Sequence, residues 1–271
     1  MSQKLCKVAG VIAHTPKRPK LFAWPVAHTM HHRMAWITGR RIHPELMDDP
    51  DADRVELDRA LGYLRAVNRR LGGASLALRQ FKQWARRWPA DRTIRVLDVG
   101  TGSADIPLAI AEWARGAGHR VHVTGIDLHQ TTVDLARRCI GDREDIEIIQ
   151  ADALTLTDRF EANAFDYAHA GLFLHHLNDV QVMTVLRMMD RLASRGVIWN
   201  DLIRGVPGKL GVRVLMAWPG VPKMVRHDAV VSVAAGFTRR EALDLARRAG
   251  LANIRMHSRL FYRFALVSEK G

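Results

Sequence analysis

From residue 94 onward, short runs rich in branched aliphatic residues alternate with segments of helical period, and that alternation leaves few architectures open. The runs read as strands over Ile94–Val99, Val121–Asp127, Ile146–Gln150, Phe165–Ala170 and Gly196–Asn200. Between them lie helical segments near 106–116, 131–139 and 178–193. Strands separated by helix-length crossovers must run parallel, with helices covering both faces of the sheet. The chain then changes rhythm. A helix near Arg239–Ala249 stops at Gly250, and Asn253–Ser258 and Phe261–Ser268 follow with almost nothing between them. Strands that close in sequence can only be antiparallel neighbours. The expected fold is therefore α/β: seven strands, mostly parallel, closed by an antiparallel C-terminal hairpin.

Ahead of this core the pattern is helical. Asp48-Asp49-Pro50-Asp51 suits a helix start, because acids and proline are favourable in a first turn. Leu57, Leu61, Leu64, Val67 and Leu71 make one apolar stripe that ends at Gly72-Gly73, and a second helix runs from about Ser75 to Trp88 before Pro89 and Asp91. Residues 1–46 differ from the rest. They carry eight Lys/Arg against one acid, whereas the other 225 residues carry 33 against 27. They include Lys17-Arg18-Pro19-Lys20, Trp24-Pro25 and the histidines His28, His31 and His32, without a sustained apolar period. We read 1–46 as a basic arm, flexible or loosely docked, and 47–271 as the domain. Within it, 47–90 is a helical cap, 94–200 the core, 201–236 a lid, and 237–271 the closing helix and hairpin.

The net charge of +13 raises a nucleic-acid partner. About half of the excess sits on the arm, and most of the rest is arginine on predicted helix faces, as in Arg69-Arg70, Arg86-Arg87 and Arg247-Arg248. Such faces are ordinary solvated surface. Two cysteines, Cys6 and Cys139, cannot make a disulfide framework, which fits a reducing, cytoplasmic setting. No apolar run reaches the roughly 18 residues of a membrane span. No metal is expected, because the three arm histidines lack an acidic or cysteine ligand close in sequence.

The chemistry is carried by three strand ends. Val96-Leu97-Asp98-Val99-Gly100-Thr101-Gly102-Ser103-Ala104-Asp105 reads as a buried strand, a tight glycine turn and a helix start. Glycines there let the backbone bend and approach a ligand closely. The turn matches two positions of the dinucleotide fingerprint, but position 105 is aspartate, which would repel a pyrophosphate at the helix N-terminus. Asp98, two residues before the first glycine, suits a cationic ligand instead. Asp127, in Gly125-Ile126-Asp127-Leu128, ends the next strand 25 residues after Gly102 and can accept from both hydroxyls of a ribose. Asp152, in Gln150-Ala151-Asp152-Ala153, ends the third and can accept from an adenine amino group, while a neighbouring backbone amide donates to the ring.

These residues resemble the successive motifs of class I S-adenosylmethionine (SAM)-dependent methyltransferases, and the resemblance covers roughly residues 94–200. It implies a Rossmann-like fold, SAM as cofactor, and a cofactor-binding set of Asp98, Gly100, Thr101, Gly102, Asp127, Leu128, Asp152, Ala153 and His169. One departure is Ala104, where many members carry a third glycine. The segment Phe165 to Leu177, with Leu172, Phe173, His175 and His176, resembles small-molecule methyltransferases, including quinone C-methyltransferases. With Asn200-Asp201-Leu202-Ile203-Arg204 and Val225-Arg226-His227-Asp228 it is similar to bacterial methyltransferases linked to aromatic polyketide metabolism. The implied acceptor is a small, aromatic molecule.

Methyl transfer is a direct displacement, in which alignment and desolvation do most of the work. A phenol needs little more than a base or an electropositive pocket. The candidate catalytic residues are His175 and His176, His227 oriented by Asp228, and Arg204 holding an acidic group of the acceptor. The plainer alternatives are packed histidines and an Asp201–Arg204 ion pair. The lid is rich in Val, Met, Trp and Pro, as an apolar pocket requires. O-methylation of a phenolic metabolite is the expected reaction, with C-methylation of a quinol or a nucleic-acid methyltransferase as alternatives. Against the last, Ala168-His169-Ala170-Gly171 stands where amino-methylating enzymes carry an Asn/Asp-Pro-Pro-aromatic segment, and neither cysteine follows a proline.

Overall fold

A computed structural model describes residues 39–70, 73–259 and 262–270. The arm features up to residue 38, including His28, His31, His32 and Cys6, lie outside the described residues.

The expected alternation forms as read. Two helices, α1 (Arg54–Arg70) and α2 (Gly73–Ala85), precede a seven-stranded sheet. The sheet is built from β1 (Ile94–Val99), β2 (Val121–Asp127), β3 (Ile146–Gln150), β4 (Phe165–Gly171), β5 (Ala193–Leu202), β6 (Arg255–Arg259) and β7 (Arg263–Glu269). The crossovers are α3 (Asp105–Gly116), α4 (Gln130–Ile140) and α5 (Asp179–Leu192); α6 (Val206–Met216), α7 (Lys223–Ala235) and α8 (Arg239–Arg248) follow β5. Strand order is β3-β2-β1-β4-β5-β7-β6. The first five run parallel, and β7 is antiparallel to both β5 and β6.

Side chains alternate between two cores, as a sheet covered on both faces demands. Leu97, Val99, Ala168, Val197, Trp199 and Leu266 face a core closed by α5 and α8. Val96, Tyr167, Ile198 and Val267 face the other, closed by α2, α3 and α4. There Trp84 stacks on Tyr167 at 4.2 Å between centroids, and Trp88 Nε1 donates to the Tyr167 hydroxyl at 3.1 Å. This anchors the helical extension to the sheet.

Two boundaries differ from the sequence reading. Strand β5 continues through Asp201 and Leu202, which pair with Phe264 and Arg263 of β7. The expected start of the lid is thus the end of a strand, held by a partner that arrives more than 60 residues later. Two residues within 39–46 are also docked: Arg40 donates to the carbonyls of Ala235 and His175, and Glu45 is only 6% exposed.

The sheet order reverses at β1, which has β2 on one side and β4 on the other. The carboxyl ends of these strands frame the crevice where open α/β sheets bind ligands.

Candidate active site

The turn after β1 is left-handed three times over. Gly100, Gly102 and Ala104 have φ of 69°, 53° and 60°. Glycine accepts this freely; the Ala104 Cβ costs about 1–2 kcal/mol. A Cβ on Gly100 would stand 2.6 Å from Phe173 Cγ, so the aromatic ring after β4 packs directly on the bare turn. A Cβ on Gly102 would meet no atom within 4 Å and would project into open space.

Beside the turn lies a pocket of about 120 Å³. Asp98, Gly100, Thr101, Gly102 and His169 line it together with Asn200, so five residues of the expected cofactor set meet in one place. Leu61, Leu64, Arg65 and Asn68 of α1 cover it from the other side. The Asp98 carboxylate is 2% exposed; Oδ2 accepts from Thr101 Oγ1 at 2.8 Å, and Oδ1 lies 2.6 Å from His169 Nδ1. His169 Nε2 is buried without a hydrogen-bond partner. A carboxylate and an unspent imidazole nitrogen beside a backbone that comes unusually close suit a polar, cationic ligand with hydrogen-bonding groups.

Asp127 stands at the neighbouring strand end. Its Oδ2 accepts from Gly102 N at 3.0 Å and its Oδ1 from His129 N at 3.2 Å. Burial pushes this carboxyl above its ordinary range, against those two amides. Two of its four lone-pair sites remain for a diol. Leu128 is exposed. Asp152 is exposed as well, and its Oδ1 accepts from Leu154 N at 2.8 Å, which fixes the loop after β3. Ala153 turns its side chain into the core, leaving only its backbone available. These four border the carboxyl ends of β2 and β3, outside the pocket lining proper. Asp105, in the same lining as Asp98, also has its carboxyl raised by burial and accepts from Asn68 Nδ2 at 2.8 Å.

The candidate catalytic residues are placed differently from the sequence reading. His175 is 3% exposed, with Nδ1 2.7 Å from Asp201 Oδ1 and Nε2 3.5 Å from Glu45 Oε1. Burial alone would lower its pKa, but the two carboxylates push it up to about 10. That upward direction disfavours His175 as a proton acceptor while both carboxylates stay beside it. Asp201 is held below the ordinary carboxylate range: burial opposes this, and His175 with the N–H groups of Trp199 and Leu202 overcomes it. His176 Nδ1 lies 2.7 Å from Asp48 Oδ2.

His227 is half exposed, and Asp228 does more than orient it. The buried Asp228 carboxylate accepts from Leu46 N at 2.8 Å and Met47 N at 3.1 Å, pinning the chain entry to α7. Arg204, the candidate for holding an acidic group of the acceptor, binds Glu241 at 2.5 Å, and Asp201 binds His175. Sequence reasoning missed Glu45 and Asp48 entirely. They lie some 130 residues before their histidine partners, and nothing local marks them.

Residues 96–196 match the family model described as a methyltransferase domain. The sheet order and the β1 turn agree with that match. Residues 96–196 carry a methyltransferase domain of the class I, SAM-dependent type. Among curated proteins, the demethylmenaquinone methyltransferases of Staphylococcus aureus strains MRSA252 and JH9 are each 27% identical over 154 residues, covering 55% of this chain. The chain spans 61% of the length of these relatives. Two solved structures share the methyltransferase fold. Human N-acetylserotonin methyltransferase in complex with SAM aligns with a TM-score of 0.56 at 14% identity, over 81% of this chain and 57% of that one. The citrinin polyketide synthase CMeT domain aligns with a TM-score of 0.54 at 11% identity, over 69% and 49%. Among the described residues, no helix is long and apolar enough to cross a membrane.

Proposed function

We propose that this chain transfers a methyl group from SAM to a hydroxyl of a small aromatic molecule. The observation that carries this reading is the pocket at the carboxyl ends of β1 and β4, where Asp98, the bare turn at Gly100 and Gly102, and the unspent His169 Nε2 converge. In this reading Asp98, positioned by Thr101 and His169, receives the cationic end of SAM. Asp127 takes the ribose hydroxyls, while Leu128 and the Asp152-Ala153 turn flank the adenine. SAM supplies the electrophilic methyl; the chain supplies alignment and the exclusion of water. Leu172 and Asn200 also line the pocket, on the side of β4 and β5, where an acceptor would meet the methyl group.

The proton of a phenol has to leave, and the Nδ1 atoms of His175 and His176 are engaged by Asp201 and Asp48. His169 is the imidazole that reaches the pocket. We therefore assign the acceptor's activation to the pocket's polar groups, and Arg204 and His227 take no part.

A second reading, methylation of a quinol ring carbon, is favoured by the demethylmenaquinone methyltransferase relatives. A panel of phenols, resorcinols and reduced quinones, incubated with SAM and resolved by mass spectrometry and NMR, separates the two. A methoxy product supports the first reading, a ring methyl supports the second, and no product from any member refutes both.

A further inference from the structure

Beside the cofactor pocket lies a second cluster that the methyl-transfer reading does not use. Glu45, His175 and His176 bring three ligand atoms, one carboxylate oxygen and two imidazole nitrogens, within 4.8 Å of one another. Both Nε2 atoms turn toward Glu45 Oε1, at 3.5 Å from His175 and 4.0 Å from His176. Ion pairs that closed on each other would sit near 2.7–2.9 Å. These are longer, and the His175 Nε2 is buried with no hydrogen bond at all. The three atoms converge on a shared space, not on each other.

The outer groups complete the pattern. His175 Nδ1 is 2.7 Å from Asp201, and His176 Nδ1 is 2.7 Å from Asp48. A carboxylate behind each imidazole is the arrangement that fixes ring orientation and raises basicity in metal-binding histidines. Asp201 is itself fixed by Trp199 Nε1 and Leu202 N, and the Ser232 hydroxyl donates to Glu45. Three carboxylates thus surround two imidazoles. The nearby Arg40 guanidinium is spent on Asp179 and on the carbonyls of His175, Leu174 and Ala235. A divalent cation would balance this charge.

We infer that Glu45, His175 and His176 bind one divalent first-row transition-metal ion, of the zinc or ferrous type. Two imidazoles and one carboxylate are the donors such ions prefer, and they leave coordination positions open. Metal–ligand bonds of about 2.0–2.1 Å require donors roughly 3.3 Å apart, so donors within 4.8 Å of one another need to close by at most about 1.5 Å. Met47, between Glu45 and Asp48 in sequence, lines the cofactor pocket, which sets the ion next to the acceptor's side of the domain.

The test is uptake of Co²⁺ and Zn²⁺ by the full chain after chelator treatment, read by visible absorption for cobalt and by elemental analysis. The expected result is saturation at one ion per chain in this site. Glu45→Gln and His176→Ala should each weaken uptake at least tenfold, Asp48→Asn should weaken it 10–100-fold, and His257→Ala should leave it unchanged. Far-UV circular dichroism checks that each variant is folded. Should Glu45→Gln fail to fold, His176→Ala decides, because that side chain is already 20% exposed. Absence of saturable uptake overturns the inference. So does uptake that persists in folded His176→Ala, which would place the ion elsewhere, for example on the arm histidines.

Discussion

Alanine at Gly100 and at Gly102 separates two roles of the β1 turn. Both positions are left-handed, at φ of 69° and 53°, so each Cβ adds about 1–2 kcal/mol of backbone strain. At Gly102 nothing else is touched. At Gly100 the new methyl would sit 2.6 Å from Phe173 Cγ and 2.8 Å from its Cβ, at the root of the side chain where rotation cannot relieve it. Overpacking of this kind adds about 1–3 kcal/mol. Gly102→Ala should therefore cost about 1–2 kcal/mol and Gly100→Ala about 2–5 kcal/mol. For a domain of this size, melting temperature falls about 2–4 °C per kcal/mol, so Gly102→Ala should lose about 2–8 °C, and Gly100→Ala clearly more. SAM affinity should not follow stability. Gly102 lines the pocket, so its added methyl should cost at least tenfold in calorimetric affinity despite the milder destabilisation. Equal melting temperatures for the two variants would refute the Phe173 contact. Full SAM affinity in Gly102→Ala would refute the turn as the cofactor's seat.

Three further outcomes are expected. Asp127→Ala should sharply weaken SAM binding by calorimetry, since it removes the ribose acceptor; wild-type affinity would sink that assignment. Asp228→Ala strips Leu46 N and Met47 N of their acceptor, at about 1–3 kcal/mol per orphaned buried group, and should expose the bond near residue 46 to limited proteolysis. Asp105→Asn should raise the urea midpoint of the SAM-free protein at neutral pH. The wild-type carboxyl is raised by burial, so wild-type stability falls as pH rises from the ordinary carboxylate value through the raised one; the advantage of Asp105→Asn should vanish below that window, and an advantage that persists at low pH would contradict the burial argument.

The sheet was legible because its signals are local. Buried runs bounded by turn residues place β1 through β4 to within a residue and the centre of β5, and the short spacing after Gly250 marks the hairpin. The placing of the expected cofactor residues was legible for the same reason: Asp98, Asp127 and Asp152 lie at or just beside the carboxyl ends of β1, β2 and β3, which share one edge of the sheet. The histidines were visible, but their partners were not. Whether His175 is a base, an ion-pair member or a ligand depends on Glu45, 130 residues before it, and Asp201, near the end of β5 and 26 residues after it. Arg204 was misread because Glu241 reaches it from the first turn of α8, where the same carboxylate caps the helix through the Thr238 amide. Likewise, Leu202 joined β5 only because β7 returns to pair with it.

The most direct test of the central claim is transfer of a labelled methyl group from SAM by the purified full chain, offered simple phenols, resorcinols and reduced quinones beside bulk RNA. The account predicts label in the organic extract, on the ring or its oxygen. Label in the RNA alone would contradict it and assign the basic N-terminal arm to nucleic-acid binding.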